Sequence, residues 1–166
     1  MSDFSPDRLD IRLATLPDLP ALLPIWLEMM QEHAEQDQRF KLAEDASQQW
    51  LHSTADMVRR EDAFLLEATI DSEKIGFCLG WIAYHPPIYQ SRRVGFISEV
   101  AVAKKLRRSG VGKALFEGAR GWFAAQSIED FQLTTAVWNR PAQAFWEGMG
   151  GEALLMRYRF ATMEQE

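Results

Sequence analysis

The sequence contains a single cysteine, Cys78, in 166 residues. One thiol excludes an internal disulfide and any zinc site built on cysteines, and it suits a reducing cytoplasm, which is the expected location. Long apolar runs are also missing. The longest apolar patch, residues 19–30, is interrupted by Pro20, Pro24 and Glu28, well short of the roughly 20 apolar residues that a membrane helix needs. No membrane partner is therefore expected. Residues 1–10 carry three aspartates ahead of any apolar stretch, a pattern unlike a secretory signal. No repeat, low-complexity tract or linker composition interrupts the chain, so residues 1–166 read as one domain. A chain this long removes roughly 68–70% of its unfolded surface from water on folding, so its core stands without metal or disulfide. No metal site is expected.

Positive charge is scarce overall, and the net charge of −6 argues against a general nucleic-acid binder. The charges are unevenly placed. Residues 1–74 hold sixteen acids and seven bases, whereas residues 75–166 hold eight acids and eleven bases. Between Arg92 and Arg120 lie eight bases against only Glu99 and Glu117. Such an excess can hold an anionic ligand within an acidic protein, and it equally fits a solvated basic face.

Apolar periodicity divides the chain into elements. Residues 9–13 alternate as a short strand. Thr15 and Asp18 form a capping-box pattern ahead of a helix over residues 19–35, whose stripe is Leu19, Leu22, Leu23, Trp26, Leu27 and Met30. A second helix is expected over residues 47–60. The period then changes to two, giving strands at 63–70, 75–84 and 93–102 that read as an antiparallel meander. A basic loop over 104–112 leads into a helix at 111–126, then a strand at 131–137, a short helix at 141–149 and a last strand at 154–160. Strand, helix and strand from residue 96 to 137 suggest a crossover unit. The fold class is α/β (α+β): a mixed, mostly antiparallel sheet with helices on both faces.

The strongest chemical signal is Arg107-Arg108-Ser109-Gly110-Val111-Gly112, at the junction of strand and helix. Glycines there let a ligand approach the backbone, and the first amides of the following helix have no carbonyl partners inside it. A phosphate satisfies such amides; a plain turn that starts a helix fits the same spacing. A Walker loop is excluded because Lys113 precedes Ala114 rather than a hydroxyl residue, and a dinucleotide loop lacks its third glycine, since Leu115 stands there.

In these residues the sequence resembles the GNAT superfamily of N-acetyltransferases, whose loop reads R/Q-x-x-G-x-G/A between strand and helix. Arg107, Gly110 and Gly112 fill its fixed places. The likeness extends upstream to Ile97-Ser98-Glu99-Val100-Ala101-Val102. Downstream it continues through Asn139-Arg140-Pro141-Ala142-Gln143-Ala144-Phe145-Trp146 and Gly148-Met149-Gly150-Gly151. It is clearest over residues 94–160.

The resemblance implies a splayed strand pair binding acyl-coenzyme A, with acetyl-CoA as cosubstrate. Its pyrophosphate would lie on the amides of Arg108, Ser109, Gly110, Val111, Gly112 and Lys113, with Arg107 in the same cofactor-binding set. The pantetheine arm would hydrogen-bond main chain at Val100 and Val102. Asn139 would meet the pantetheine or the helix start, and Ala142 and Trp146 complete the cofactor side. The Val100 amide would polarise the acetyl carbonyl. Glu99 interrupts a nearly uncharged strand and is the candidate general base, acting through water, because a protonated amine has no lone pair. A carboxylate that only attracts a cationic acceptor is the alternative. His33, His52 and His85 are scattered and read as surface or packing residues, with an acceptor-pocket role open for His33.

One departure stands out: Trp146 occupies the place where many relatives carry a tyrosine that protonates the leaving thiolate. Either the thiolate leaves unassisted, or Tyr158 or Tyr84 serves. The implied activity is acetyl transfer to a primary amine of a small molecule or peptide, expected to be cationic because Glu28, Glu32, Glu35, Asp37, Glu44 and Asp45 crowd the first two helices. The alternative is a non-catalytic acyl-CoA-binding sensor. Relatives commonly pair through their last strands, which makes a homodimer one expected assembly.

Overall fold

A computed structural model describes residues 6–162. Residues 1–5, which open the segment read as no secretory signal, lie outside the described residues. Five strands form one sheet in the order β1-β2-β3-β4-β5. They are β1 (Leu9–Leu13), β2 (Ala63–Ile70), β3 (Glu73–Tyr84), β4 (Arg93–Val102) and β5 (Phe131–Leu133). Neighbours are antiparallel except β4 and β5, which run parallel. The helices are α1 (Leu19–Gln36), α2 (Ala46–Val58), α3 (Val111–Ala125) and α4 (Arg140–Gly148). The chain divides into two compact units, one ending at Thr134 and the other beginning at Thr135. Among the described residues no helix is long and apolar enough to cross a membrane.

Alternation along the strands sorts the core into two layers. Leu65, Phe77, Leu79 and Ala101 pack with Leu19, Leu22, Ile25 and Trp26 of α1 and Trp50 of α2. The opposite face takes α3: Leu115 and Val111 lie against Gly76, and Phe123 against Gly95. Thr15 and Asp18 form the expected capping box, which here closes a 3-10 turn over Leu16–Asp18 that leads into α1.

One charge is buried in this core. Glu67 is fully buried, and its Oε1 accepts from Arg12 Nε and Lys74 Nζ, each at 2.6 Å, while Oε2 has no hydrogen-bond partner. Lys74 also donates to Asp18 Oδ1 at 2.8 Å. That bond, with the Thr15 backbone N–H, holds the Asp18 carboxyl well below the usual carboxylate range. The network ties β1, β2, β3 and the start of α1 together. Glu67→Ala removes the acceptor that Lys74 and Arg12 share and leaves a cavity at a fully buried position, so it is expected to cost about 3–5 kcal/mol even though Lys74 keeps Asp18. Denaturant unfolding checks this; a loss under about 1 kcal/mol would mean that the cluster contributes nothing beyond a surface pair.

Two expected strands are corrected. The strand predicted over 131–137 ends at Leu133. The last strand, predicted over 154–160, does not form: residues 151–160 have no regular structure, and Leu154, Leu155, Met156, Tyr158 and Phe160 are all exposed. Its alternation was sound as a pattern, but a strand exists only where a neighbour takes up its backbone hydrogen bonds.

Candidate functional site

The site is built on β4. Register runs Gly80↔Ile97 and then Leu79↔Glu99, so Ser98 is an extra residue, a β-bulge. Gly80 opposite it is required by space, because a Cβ would sit 2.8 Å from the Phe96 carbonyl oxygen and 2.6 Å from the Phe64 ring. The bulge resets the alternation. Gly95 faces Phe123 of α3, and strict alternation would send residues 99 and 101 to that same face. With the bulge, Ala101 joins the α1 and α2 layer, and so does Glu99.

There Glu99 meets two tryptophans. Trp50 Nε1 donates to Glu99 Oε2 at 3.1 Å, and Trp26 stacks on Trp50 with ring centroids 5.3 Å apart. Burial pushes the Glu99 carboxyl above its ordinary pKa; the indoles of Trp50 and, more weakly, Trp26 oppose that shift by bonding the charged form. A carboxylate tuned upward is a better proton acceptor at neutral pH than a solvated one.

The same bulge decides which edge the backbone faces. Gly95 N–H donates to Asp130 O, on the β5 side, whereas Ala103 N–H donates to Ile75 O, on the β3 side. In an antiparallel ladder alternate residues turn to the same neighbour. Glu99, Ala101 and Ala103 therefore bond β3, and Val100 and Val102 present their N–H and C=O towards the β5 side. Pairing with β5 ends at Ile97↔Leu133, so no strand takes those groups from β5. Beyond Val102 the chain makes a 3-10 turn over Lys104–Leu106. Arg108 (φ 61°) and Gly110 (φ 94°) then reverse it into α3. Gly110 is the residue before the helix, and a Cβ there would meet nothing within 4 Å. The amides of Val111, Gly112 and Lys113 open the helix unpaired within it. An unpaired strand edge, a tuned carboxylate and a basic helix start thus follow one another along a single stretch of chain.

The acetyltransferase (GNAT) family model matches residues 25–150. The chain belongs to the GNAT acetyltransferase family. It is accordingly an acetyl-transferring enzyme, and its fold agrees with solved structures. A variant of the BH1408 protein from Bacillus halodurans superposes with a TM-score of 0.84 at 18% identity, over 93% of this chain and 99% of that one. The aminoglycoside N-acetyltransferase AAC(6')-Iy, solved in complex with CoA, gives 0.73 at 20% identity, covering 92% and 94%. The aminoglycoside 6'-N-acetyltransferase AAC(6')-IG from Acinetobacter haemolyticus gives 0.73 at 20% identity, covering 94% and 99%. At these identities the likeness is one of fold. No curated protein matches the sequence.

The remaining residues singled out in this GNAT chain fall as follows. Ser109 Oγ donates to the Leu106 carbonyl and so closes the loop on itself. Arg107 turns its guanidinium to Glu32 and to the Val102 carbonyl. Arg108 and Lys113 are exposed. In the second unit Asn139 caps α4, its Oδ1 accepting the Ala142 N–H at 3.2 Å, which is the helix-start alternative. Trp146 meets Phe145 edge-on at 4.7 Å. Tyr84 and Tyr158 are both largely exposed. His33 Nδ1 bonds the Met29 carbonyl, and its ring meets Phe40 edge-on. Cys78 is fully buried on β3, and burial followed by the Glu99 charge pushes its thiol pKa up, so it offers no nucleophilic thiolate.

Most of the expected acceptor-side carboxylates have other partners. Glu28 accepts the Lys104 N–H and Glu32 pairs with Arg107. Asp37 caps a turn and pairs with Arg39, Glu35 accepts from Gln31 and Asp45 from Gln49. Trp26 and Trp50 were missed as functional residues: in sequence they are apolar residues at helical spacing, and only the fold brings both to Glu99.

Trp50→Phe removes the stronger donor to the charged Glu99 while keeping an aromatic face. A bond to a charged group is worth about 1.5–3 kcal/mol, so the acid limb of kcat/KM is expected to move up by about one pH unit. The full pH profile checks it; a limb that stays in place or moves down would detach Trp50 from the titrating group.

Proposed function

We propose that this enzyme moves an acetyl group from acetyl-CoA directly to a primary amine of a small molecule or peptide. The observation that carries the reading is the run from Glu99 to Lys113. Val100 and the Val102 N–H, which face away from β3, offer main chain to the pantetheine, while the Val102 carbonyl is held by Arg107. The amides of Arg108, Ser109, Gly110, Val111, Gly112 and Lys113 take the pyrophosphate at the head of α3. Asn139, Ala142 and Trp146 enter this set through the family motif alone. In the reaction the amine nitrogen bonds to the thioester carbonyl carbon, and the C–S bond breaks. The amine proton passes through a water to Glu99. The sulfur leaves as a thiolate and takes a proton from solvent, which matches the absence of an acidic residue at position 146. The Val100 N–H stabilises the developing oxyanion.

The aminoglycoside acetyltransferases among the structural neighbours support a small polyamine or aminosugar acceptor. The exposed apolar side chains Leu154, Leu155, Met156, Tyr158 and Phe160 support pairing of two copies. The sensor reading draws its support from Trp146. One experiment separates the two: thiol release from acetyl-CoA, followed across aminoglycosides, polyamines, amino acids and peptides. Transfer predicts release well above hydrolysis with at least one amine. Tight acetyl-CoA binding with no release across the panel supports the sensor, and no binding at all overturns both.

A further inference from the structure

The basic loop after β4 is held by a helix far away in sequence. Glu28 Oε2 accepts the backbone N–H of Lys104 at 2.8 Å. One turn further along α1, Glu32 Oε2 accepts from Arg107 Nη1 at 2.6 Å, and its Oε1 lies 3.7 Å from Lys104 Nζ. Arg107 Nε in turn donates to the Val102 carbonyl at 3.2 Å. The 3-10 turn over Lys104–Leu106 follows Ala103, which has no side-chain acceptor to cap it. Its first amide is capped instead by a carboxylate 76 residues away. Residues four apart share a helix face, so α1 presents both carboxylates to the loop together.

We propose that Glu28 and Glu32 are positioning residues for the donor site, and that Arg107 is the brace through which Glu32 acts rather than a ligand of the pyrophosphate. This rests on reading the loop as the acyl-CoA anion site. The Arg107 charge is already matched at 2.6 Å, and its fork spans Glu32 on one side and the end of β4 on the other. These contacts take Nε and one Nη1 hydrogen and fix the guanidinium against Glu32 and the end of β4. Arg108 and Lys113, which carry no ion pair among the described residues, remain for the anion. The brace fixes the direction in which the chain leaves β4, and with it the approach of the Arg108 to Lys113 amides.

The test is a double-mutant cycle on CoA affinity by calorimetry, using the full chain, with R107Q, E32Q and R107Q/E32Q. A brace predicts that each single change weakens CoA about tenfold and that the double variant is about as weak as R107Q, because Glu32 acts through Arg107. If Arg107 is instead a phosphate ligand, E32Q frees it and tightens CoA while R107Q weakens it; that opposition would overturn the proposal. Amide hydrogen exchange on the ligand-free protein gives a second measurement. Lys104 N–H is expected to be protected, and E28A, which leaves no acceptor at that place, to accelerate its exchange while α3 stays protected. An unprotected Lys104 amide in the wild type overturns the brace whatever the loop binds. Wild-type protein that binds no CoA overturns the reading of the loop, a result distinct from additive or opposed mutant effects.

Discussion

Glu99→Gln is expected to lower kcat by about 10²–10⁴-fold at neutral pH while leaving acetyl-CoA affinity unchanged. Glutamine keeps an oxygen for Trp50 Nε1 and fills the same volume between Trp26 and Trp50, but it accepts no proton from the amine. The deficit is expected to shrink as pH approaches the pKa of the acceptor, where free amine is plentiful without a base. The acid limb that wild type owes to Glu99 should vanish. Unfolding is not a rival explanation. Burial raises the Glu99 pKa, so ionising it costs more in the folded state than in the unfolded one, and stability falls as pH rises from the ordinary carboxyl range up to the raised pKa and stays lower above it. A neutral glutamine removes this cost, and the variant should melt no lower than wild type at neutral pH. Steady-state kinetics across pH, with acetyl-CoA affinity by calorimetry, decide it. Intact turnover with lost acceptor binding would make Glu99 a binding residue only.

Gly110→Asp is expected to weaken CoA binding by about three orders of magnitude. Gly110 sits at φ 94° with open space where a Cβ would be, so the substitution meets no atom and costs only the left-handed backbone, roughly 1–2 kcal/mol. A carboxylate at the head of α3 also suits the helix dipole, so stability and function part company. A diphosphate on the same amides meets that carboxylate at close range; two like charges 4 Å apart repel by about 4 kcal/mol at an effective dielectric of 20. That energy is about a thousandfold in affinity. Gly110→Asn is the control, equally tolerant of the left-handed region but uncharged, and it should retain most binding. Equal affinities for the Asp and Asn variants would remove the anion from this position.

Much of the fold was readable because its signals are local. The stripe Leu19, Leu22 and Trp26, the Thr15–Asp18 box and the switch to period two at Ala63 are statements about neighbours in the chain, and neighbours report their own geometry. The basic glycine loop was legible for the same reason: Gly110 and Gly112 sit together between a strand and a helix. Alternation failed at residues 154–160, because a strand is a property of a pair and no pattern within one segment supplies the partner. It also failed at Ser98, where a single bulged residue reverses every face that follows it. That reversal carries Glu99 to the tryptophans and turns Val100 and Val102 towards the open edge. Charge counting read the carboxylates of the first two helices as attracting a cationic acceptor. What it could not show is that two of them, Glu28 and Glu32, lie on the loop, where an acidic helix and a basic turn distant in sequence neutralise each other once folding brings them together. The sequence by itself determined the four helices, the first four strands, the family and the loop. Which way Glu99 faces, and what holds the loop, were decided by contacts between residues tens of positions apart, whose energies exist only when the sheet has formed.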